Sequence, residues 1–276
     1  MRMGLLQLFD AICGNASMPF TAEENSFGDL FSGGNDKDAS FLVTDSAGFA
    51  LIAGIHSETS ADFSVLPEFV RCFYELSANA FDIIVHAWMS EFPITPEIIR
   101  FGKNILSLAE KSIRKKALGA EAMLAGRQAA EQAAADRGNP DVLAVQAAAY
   151  KTWHEIHRML GLLRFCPDEN SVYTAYCEPD HFILPALGPH FKDRFGKNAW
   201  AVIDKKRSLC LRCISGQNLE FSGCSENYSV ELPASQGKWE QLWKQYHSAI
   251  NNETRANPKL QKSFMPKRYW KYLSEM

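Results

Sequence analysis

The sequence predicts an α+β fold, with a helical N-terminal half followed by an α+β C-terminal domain in which β-hairpins are flanked by helices. Three observations predict it. Apolar residues recur at helical spacing from residue 41 to about 160. Two pairs of strand-like runs follow, each pair joined by a short polar turn. The segment Arg137-Gly138-Asn139-Pro140 breaks the chain between these regions. The expected division is an acidic, mostly helical region over 1–138 and a basic α+β domain over 139–276.

The elements read as follows. MGLLQLFDAI forms a short helix, and the Gly-, Ser-, Asn- and Asp-rich run up to residue 40 is loop. Leu66, Phe69, Val70, Phe73, Tyr74 and Leu76 form a helical stripe behind Pro67. FDIIVHAWMSEF is a second apolar helix, stopped by Pro93 and Pro96, with His86 as a core histidine rather than a ligand. Residues 97–136 are helical again. Their tail, EAMLAGRQAAEQAAAD, has strong helix formers but little apolar bulk, which predicts an exposed or bridging segment.

Gly138 then suits a C-terminal cap, Asn139 an N-cap, Pro140 the first helical position and Asp141 the first turn. The next helix runs from 141 to about 160, with Leu143, Ala147, Tyr150, His154 and His157 near one stripe and Gly161 as its stop. LLRFCP and SVYTAYCEP form one hairpin, and NAWAVIDKKR and LCLRCIS another. Between the hairpins, FILPALGPHFKDRF is short helical structure interrupted by Pro185 and Pro189 and ended by Gly196. A loop containing at most one strand leads to an amphipathic helix marked by Trp239, Leu242, Trp243, Tyr246 and Ile250.

Charge is unevenly distributed. Residues 1–100 hold 4 Lys/Arg and 14 Asp/Glu, a net of −10; the remaining residues hold 25 and 18, a net of +7. A basic region of this kind suits an anionic partner. No apolar run approaches the roughly 20 residues of a membrane span, and the opening apolar run is broken at Gln7 and Asp10, so neither a membrane nor a secretory signal is expected. Seven scattered cysteines suit reduced thiols in a cytoplasm.

The densest chemistry lies in Trp153–Arg207. Glu155, His157, His181, His190 and Asp204 are the candidate catalytic residues, because a His beside a carboxylate can transfer protons near neutral pH. His190 and Arg194 are four apart and share a helix face that could clamp an anion. Arg158, Arg164, Arg194, Arg207, Arg255, Lys267, Arg268 and Lys271 are the candidate phosphate or nucleic-acid contacts. Aromatic residues interleave with the last of them and either stack on bases or dock into the core.

His154-Glu155-Ile156-His157 is not a zincin motif, because its histidines are three apart instead of four. Cys210-x-x-Cys213 lies in a strand, where a spacing of three points to opposite faces, and it has no second pair; no metal set is predicted. The sequence specifies no cofactor, and it lacks a glycine-rich phosphate loop and a nucleophile elbow.

Four stretches taken together, HEIHRMLGLLRF, PDHFILPALGPHFKDRF, WAVIDKKR and NPKLQKSFMPKRYWKYLSEM, resemble a bacterial family described as probable DNA metabolism proteins. The likeness covers about 140 to 276; the opening lacks the family's aromatic-Asp-Gly start. That family ends in a domain of unknown function, which also occurs fused to uracil-DNA glycosylase-like domains. It accompanies a radical-SAM DNA modification or repair protein. The resemblance implies a setting in DNA repair or modification and a radical-SAM partner, without a reaction. Two function classes follow: a nucleic-acid-binding accessory protein, or a hydrolase-like enzyme acting on a nucleotide or damaged DNA through the His/Glu/Asp cluster. A purely structural interaction domain is a weaker third.

Overall fold

A computed structural model describes residues 3–14, 67–116, 119–167, 171–214, 219–224, 236–251 and 257–273. The expected loop up to residue 40 falls almost wholly outside these residues, as do the start of the expected helical region, 41–66, and Arg255. Among the described residues the chain divides into two compact units, one ending at Trp153 and the other beginning at His154. Residues 138–140 coincide with the start of a helix.

The first unit is helical. α1 (Leu5–Cys13) buries Leu5, Leu8, Phe9 and Ile12, the i, i+3, i+4, i+7 stripe of an amphipathic helix. Phe9 packs at 5.6 Å on Phe73 of α2 (Glu68–Leu76) and at 4.9 Å on Phe81 of α3 (Ala78–Met89). Ser77 alone separates α2 from α3. It ends the first, and its Oγ accepts the Ala80 N–H at 3.0 Å to cap the second.

α4 (Thr95–Arg114) meets α1 closely: a Cβ added at Gly102 would lie 2.6 Å from the Ile12 side chain. The alanine-rich α5 (Ala120–Ala135) corrects the expectation of an exposed segment. It buries Ala122, Gly126, Ala130, Ala133 and Ala134, and its Gly126 meets Ile113 of α4. Small side chains let two helix backbones approach closely, so low apolar bulk here reflects tight packing rather than exposure.

His86 is buried, with Nδ1 2.9 Å from the Asp82 carbonyl and 3.3 Å from its carboxylate. Burial pulls its pKa down, but the Asp82 contacts outweigh this and leave it raised. A histidine whose folded pKa is raised adds stability below its unfolded value of about 6.5, and that stability is lost as pH rises through the folded value. Asp82→Asn should therefore cost up to about 1 kcal/mol at pH ~5.5 and much less at pH ~8. Urea unfolding at the two pH values measures the difference; an equal cost at both would refute it.

α6 (Pro140–Leu162) begins as its cap residues predict, with Asn139 Oδ1 accepting the Asp141 N–H at 2.9 Å. Gly161 does not stop it. Its buried positions include Val142, Val145, Ala149, Thr152, Ile156 and Met159, spaced three and four apart. Leu143, Tyr150 and His157, from the stripe read in the sequence, lie on its exposed side.

The second unit carries a five-stranded mixed sheet in the order β1 to β5. β1 (Cys166–Pro167) and β2 (Tyr173–Cys177) form the first predicted hairpin, and β3 (Trp200–Asp204) and β4 (Leu209–Cys213) the second. β5 (Leu219–Gly223) extends the second as an antiparallel edge, and β2 and β3 join the hairpins by parallel pairing. Periodicity within one strand carries no information about that parallel pairing.

α7 (Leu184–Phe195) connects β2 to β3 as one continuous helix, although Pro185 and Pro189 predict interruption. Pro185 sits in the first turn, where the missing N–H has no partner to lose. Residues Leu184 to Pro189 and Phe191 are all buried, and this packing carries the helix through Pro189. Phe191 lies 6.0 Å from the fully buried Trp200, and a Cβ on Gly188 would come within 2.7 Å of Leu219. After the sheet come α8 (Gln236–Ile250), α9 (Pro258–Phe264) and a 3-10 turn (Lys267–Tyr272).

Candidate functional site

The segment Pro179-Asp180-His181 leaves β2 and enters α7, and side chains from three directions hold it. Its backbone would be costly to bury unpaired. Glu155 projects from the buried face of α6 and is 2% exposed. Its Oε1 accepts the Asp180 N–H at 2.8 Å and its Oε2 the His181 N–H at 2.7 Å. The Tyr269 hydroxyl, from the 3-10 turn, also donates to Oε1.

Arg207 takes the opposite side of the same segment. Nη1 donates to the Pro179 carbonyl at 3.2 Å and Nη2 to the Asp180 carbonyl at 2.9 Å. Lys206 Nζ reaches that second carbonyl at 3.1 Å. One buried anion thus collects the two N–H groups, and one cation collects the two carbonyls.

Asp204 orients the cation. Fully buried at the end of β3, it pairs with Arg207 at 2.8 Å and accepts the Lys206 and Arg207 N–H groups at 2.9 and 3.3 Å. Burial pushes its pKa up; Arg207 and the two N–H groups pull it back, and the balance stays above the usual aspartate value.

The 3-10 turn is fastened at further points. Arg268 pairs with Asp180 at 2.9 Å, and Lys271 and the Tyr272 hydroxyl each reach Glu178 at 2.5 Å. Lys271 and Tyr272 hold the Glu178 carboxyl below the usual glutamate value. Tyr269 is 2% exposed and its phenol is pushed up, first by burial and then by Glu155.

The structure therefore joins Glu155, Asp204, Arg207, Arg268 and Lys271, together with the His181 backbone, in one charged clamp. His157 and His190 are exposed on α6 and α7, as is Arg194, while Arg158 is half-buried; none of the clamp contacts just described uses their side chains. The His181 ring is buried. Arg164 turns back on α6, Nη1 donating to the Gly161 carbonyl at 3.0 Å, and its guanidinium lies 5.6 Å from the Trp243 ring. Lys267 is exposed, 5.8 Å from the Trp270 ring.

Sequence reasoning missed Tyr269, Tyr272 and Glu178 as clamp members. The signal for Tyr269 was its place in the terminal stretch that also carries the resemblance. Cys210 and Cys213 are both buried on β4, and burial pushes the Cys210 thiol up to about 12. All seven cysteines are described and none is in a disulfide. Among the described residues no group of three or more His, Cys, Asp or Glu is arranged to hold a metal ion, and no helix is long and apolar enough to cross a membrane.

A family model described as a domain of unknown function, DUF4130, matches residues 114–275. No curated protein and no solved structure gives a match.

Proposed function

The chain belongs to the DUF4130 family of domains of unknown function, and from that premise we propose that it is a nucleic-acid-binding protein of DNA metabolism, an accessory to a radical-SAM modification or repair enzyme. The carrying observation is where the charges of the second unit lie. Residues 154–276 hold 17 Lys/Arg and 13 Asp/Glu. Two of those acids, Glu155 and Asp204, are withdrawn into the interior, against one base, Arg207, whose side chain is 10% exposed. The surface is therefore more cationic than the net charge states, as an anionic polymer requires. The radical-SAM partner is supported by the resemblance of the four sequence stretches.

The competing hydrolase reading has less support. Both oxygens of Glu155 and both oxygens of Asp204 already accept hydrogen bonds inside the clamp. A carboxylate engaged in this way positions backbone and is poorly placed to take a proton from water or substrate.

Binding of labelled single-stranded and duplex oligonucleotides, followed by anisotropy across a salt series, tests the proposal. About four phosphate contacts would lower duplex affinity roughly a hundredfold between ~50 and ~200 mM salt. Affinity indifferent to salt, or no binding at low salt, overturns it.

A further inference from the structure

We propose that Trp243 and Tyr246 form a stacking platform for the bases of single-stranded nucleic acid, with Arg164 at its edge. The proposal rests on the nucleic-acid reading above and specifies where and in which form the polymer is held. Trp243 and Tyr246 lie one turn apart on α8 and are 38% and 54% exposed. Their ring centroids are 5.6 Å apart with the planes tilted by 36°. Large aromatic rings usually sit in a core or against other apolar groups. Here two neighbouring rings present area to solvent on a helix whose residues 241–246 are all exposed.

Charge identifies the occupant. The Arg164 guanidinium lies 5.6 Å from the Trp243 centroid, within cation–π reach and beside the platform. Residues 236–273 hold eight Lys/Arg and two Asp/Glu; with Arg268 and Lys271 paired to Asp180 and Glu178, a net of +4 remains. Lys244, Lys259 and Lys262 are exposed among them. A neutral apolar partner would gain nothing from this field, whereas a phosphate backbone would. Stacking also requires bases that are not already stacked in a duplex, so the platform selects single strands. The neighbouring Leu242 and Ile250, 49% and 60% exposed, flank the rings with apolar surface.

The test uses the full chain with a thymidine 15-mer and a duplex of equal length at fixed low salt. Wild type should bind the single strand more tightly than the duplex. Trp243→Ala should weaken single-strand binding by about ten- to a hundredfold, the range expected from removing a stacked ring. Duplex affinity and the salt slope should hold within about twofold, because phosphate contacts remain. Tyr246→Ala should act in the same direction, and Trp243→Phe should restore most of the loss because it retains a π-face. Trp243 is 38% exposed, so part of its ring packs on the chain; the thermal midpoint of each variant, and Trp243→Phe, which keeps most of that packing, separate loss of stacking from unfolding.

Single-strand binding by Trp243→Ala equal to wild type, while wild type binds both forms with a steep salt slope, overturns the platform and leaves the nucleic-acid reading standing. Equal loss for single strand and duplex also overturns it. No binding of either form by wild type overturns both. Retention of tight, salt-sensitive binding by Trp243→Ala together with loss of a protein partner would reassign α8 to protein docking and overturn the platform.

Discussion

Replacing Arg207 with methionine is expected to destabilise the protein by about 3–5 kcal/mol, because it removes one partner of a buried ion pair and leaves the other charged. Asp204 is fully buried and Arg207 only 10% exposed, so solvent does little to screen the loss. The Pro179 and Asp180 carbonyls lose their guanidinium donors at the same time. The pH dependence has a definite sign. Asp204 already sits above the usual aspartate value, and removing Arg207 takes away a lowering influence. A carboxyl whose folded pKa is raised weakens the fold above that pKa, and the penalty fades as pH falls toward the unfolded value of about 3.9. The deficit of Arg207→Met should thus be largest near neutrality and shrink on acidification. Asp204→Asn combined with Arg207→Met should recover part of it, because the amide oxygen still accepts the Lys206 N–H without a buried charge. Urea unfolding across pH checks all three points. A single variant within about 1 kcal/mol of wild type at neutral pH would show that the pair does not hold the clamp.

Arg207 also shows what the sequence could and could not express. Its presence at the end of WAVIDKKR is visible, and so is the strand leading to it. Four charged residues in a row, the acid Asp204 and the bases Lys205, Lys206 and Arg207, look like a charged turn open to phosphate. The fold separates them: Asp204 goes inside, Lys205 and Lys206 stay exposed, and Arg207 bends back onto backbone. The deciding contacts reach from residue 207 to residue 180, a separation over which local spacing carries no signal.

Elements with local causes were legible. The two hairpins, the cap at Asn139 and the core histidine at 86 follow from turns, caps and apolar context. The parallel pairing of β2 with β3 and the docking of the 3-10 turn depend on long-range closure and were not. Apolar bulk is a poor measure of burial on α5, where small residues pack two helix backbones closely. On α6, equal spacing of two stripes left the choice of face open. The face carrying Val142, Val145, Ile156 and Met159 is the apolar one, and reading it as the core would have placed Glu155 inside and His157 outside.

Glu155→Ala should produce an effect as large as that of Arg207→Met, for a different reason. It strands three donors instead of one charge: the Asp180 and His181 N–H groups and the Tyr269 hydroxyl. Each buried unsatisfied group costs about 1–3 kcal/mol, and water entering the space left by the side chain recovers part, so the expected total is about 3–5 kcal/mol. Glu155→Gln should cost less, about 1.5–3 kcal/mol. It keeps one good acceptor oxygen but presents an NH2 group, itself a donor, to one of the N–H groups. Tyr269→Phe removes one donor while leaving both backbone bonds to Glu155 in place. Once Glu155→Ala has been made, adding Tyr269→Phe should cost less than it does in wild type, since the hydroxyl no longer has its partner. A coupling of about 0.5–3 kcal/mol in that double-mutant cycle is the expected signature of a shared contact. Unfolding in urea measures the four species. Additive losses would break the link between α6 and the 3-10 turn. A Glu155→Gln protein with undiminished stability but abolished turnover would move Glu155 from a positioning role to a chemical one.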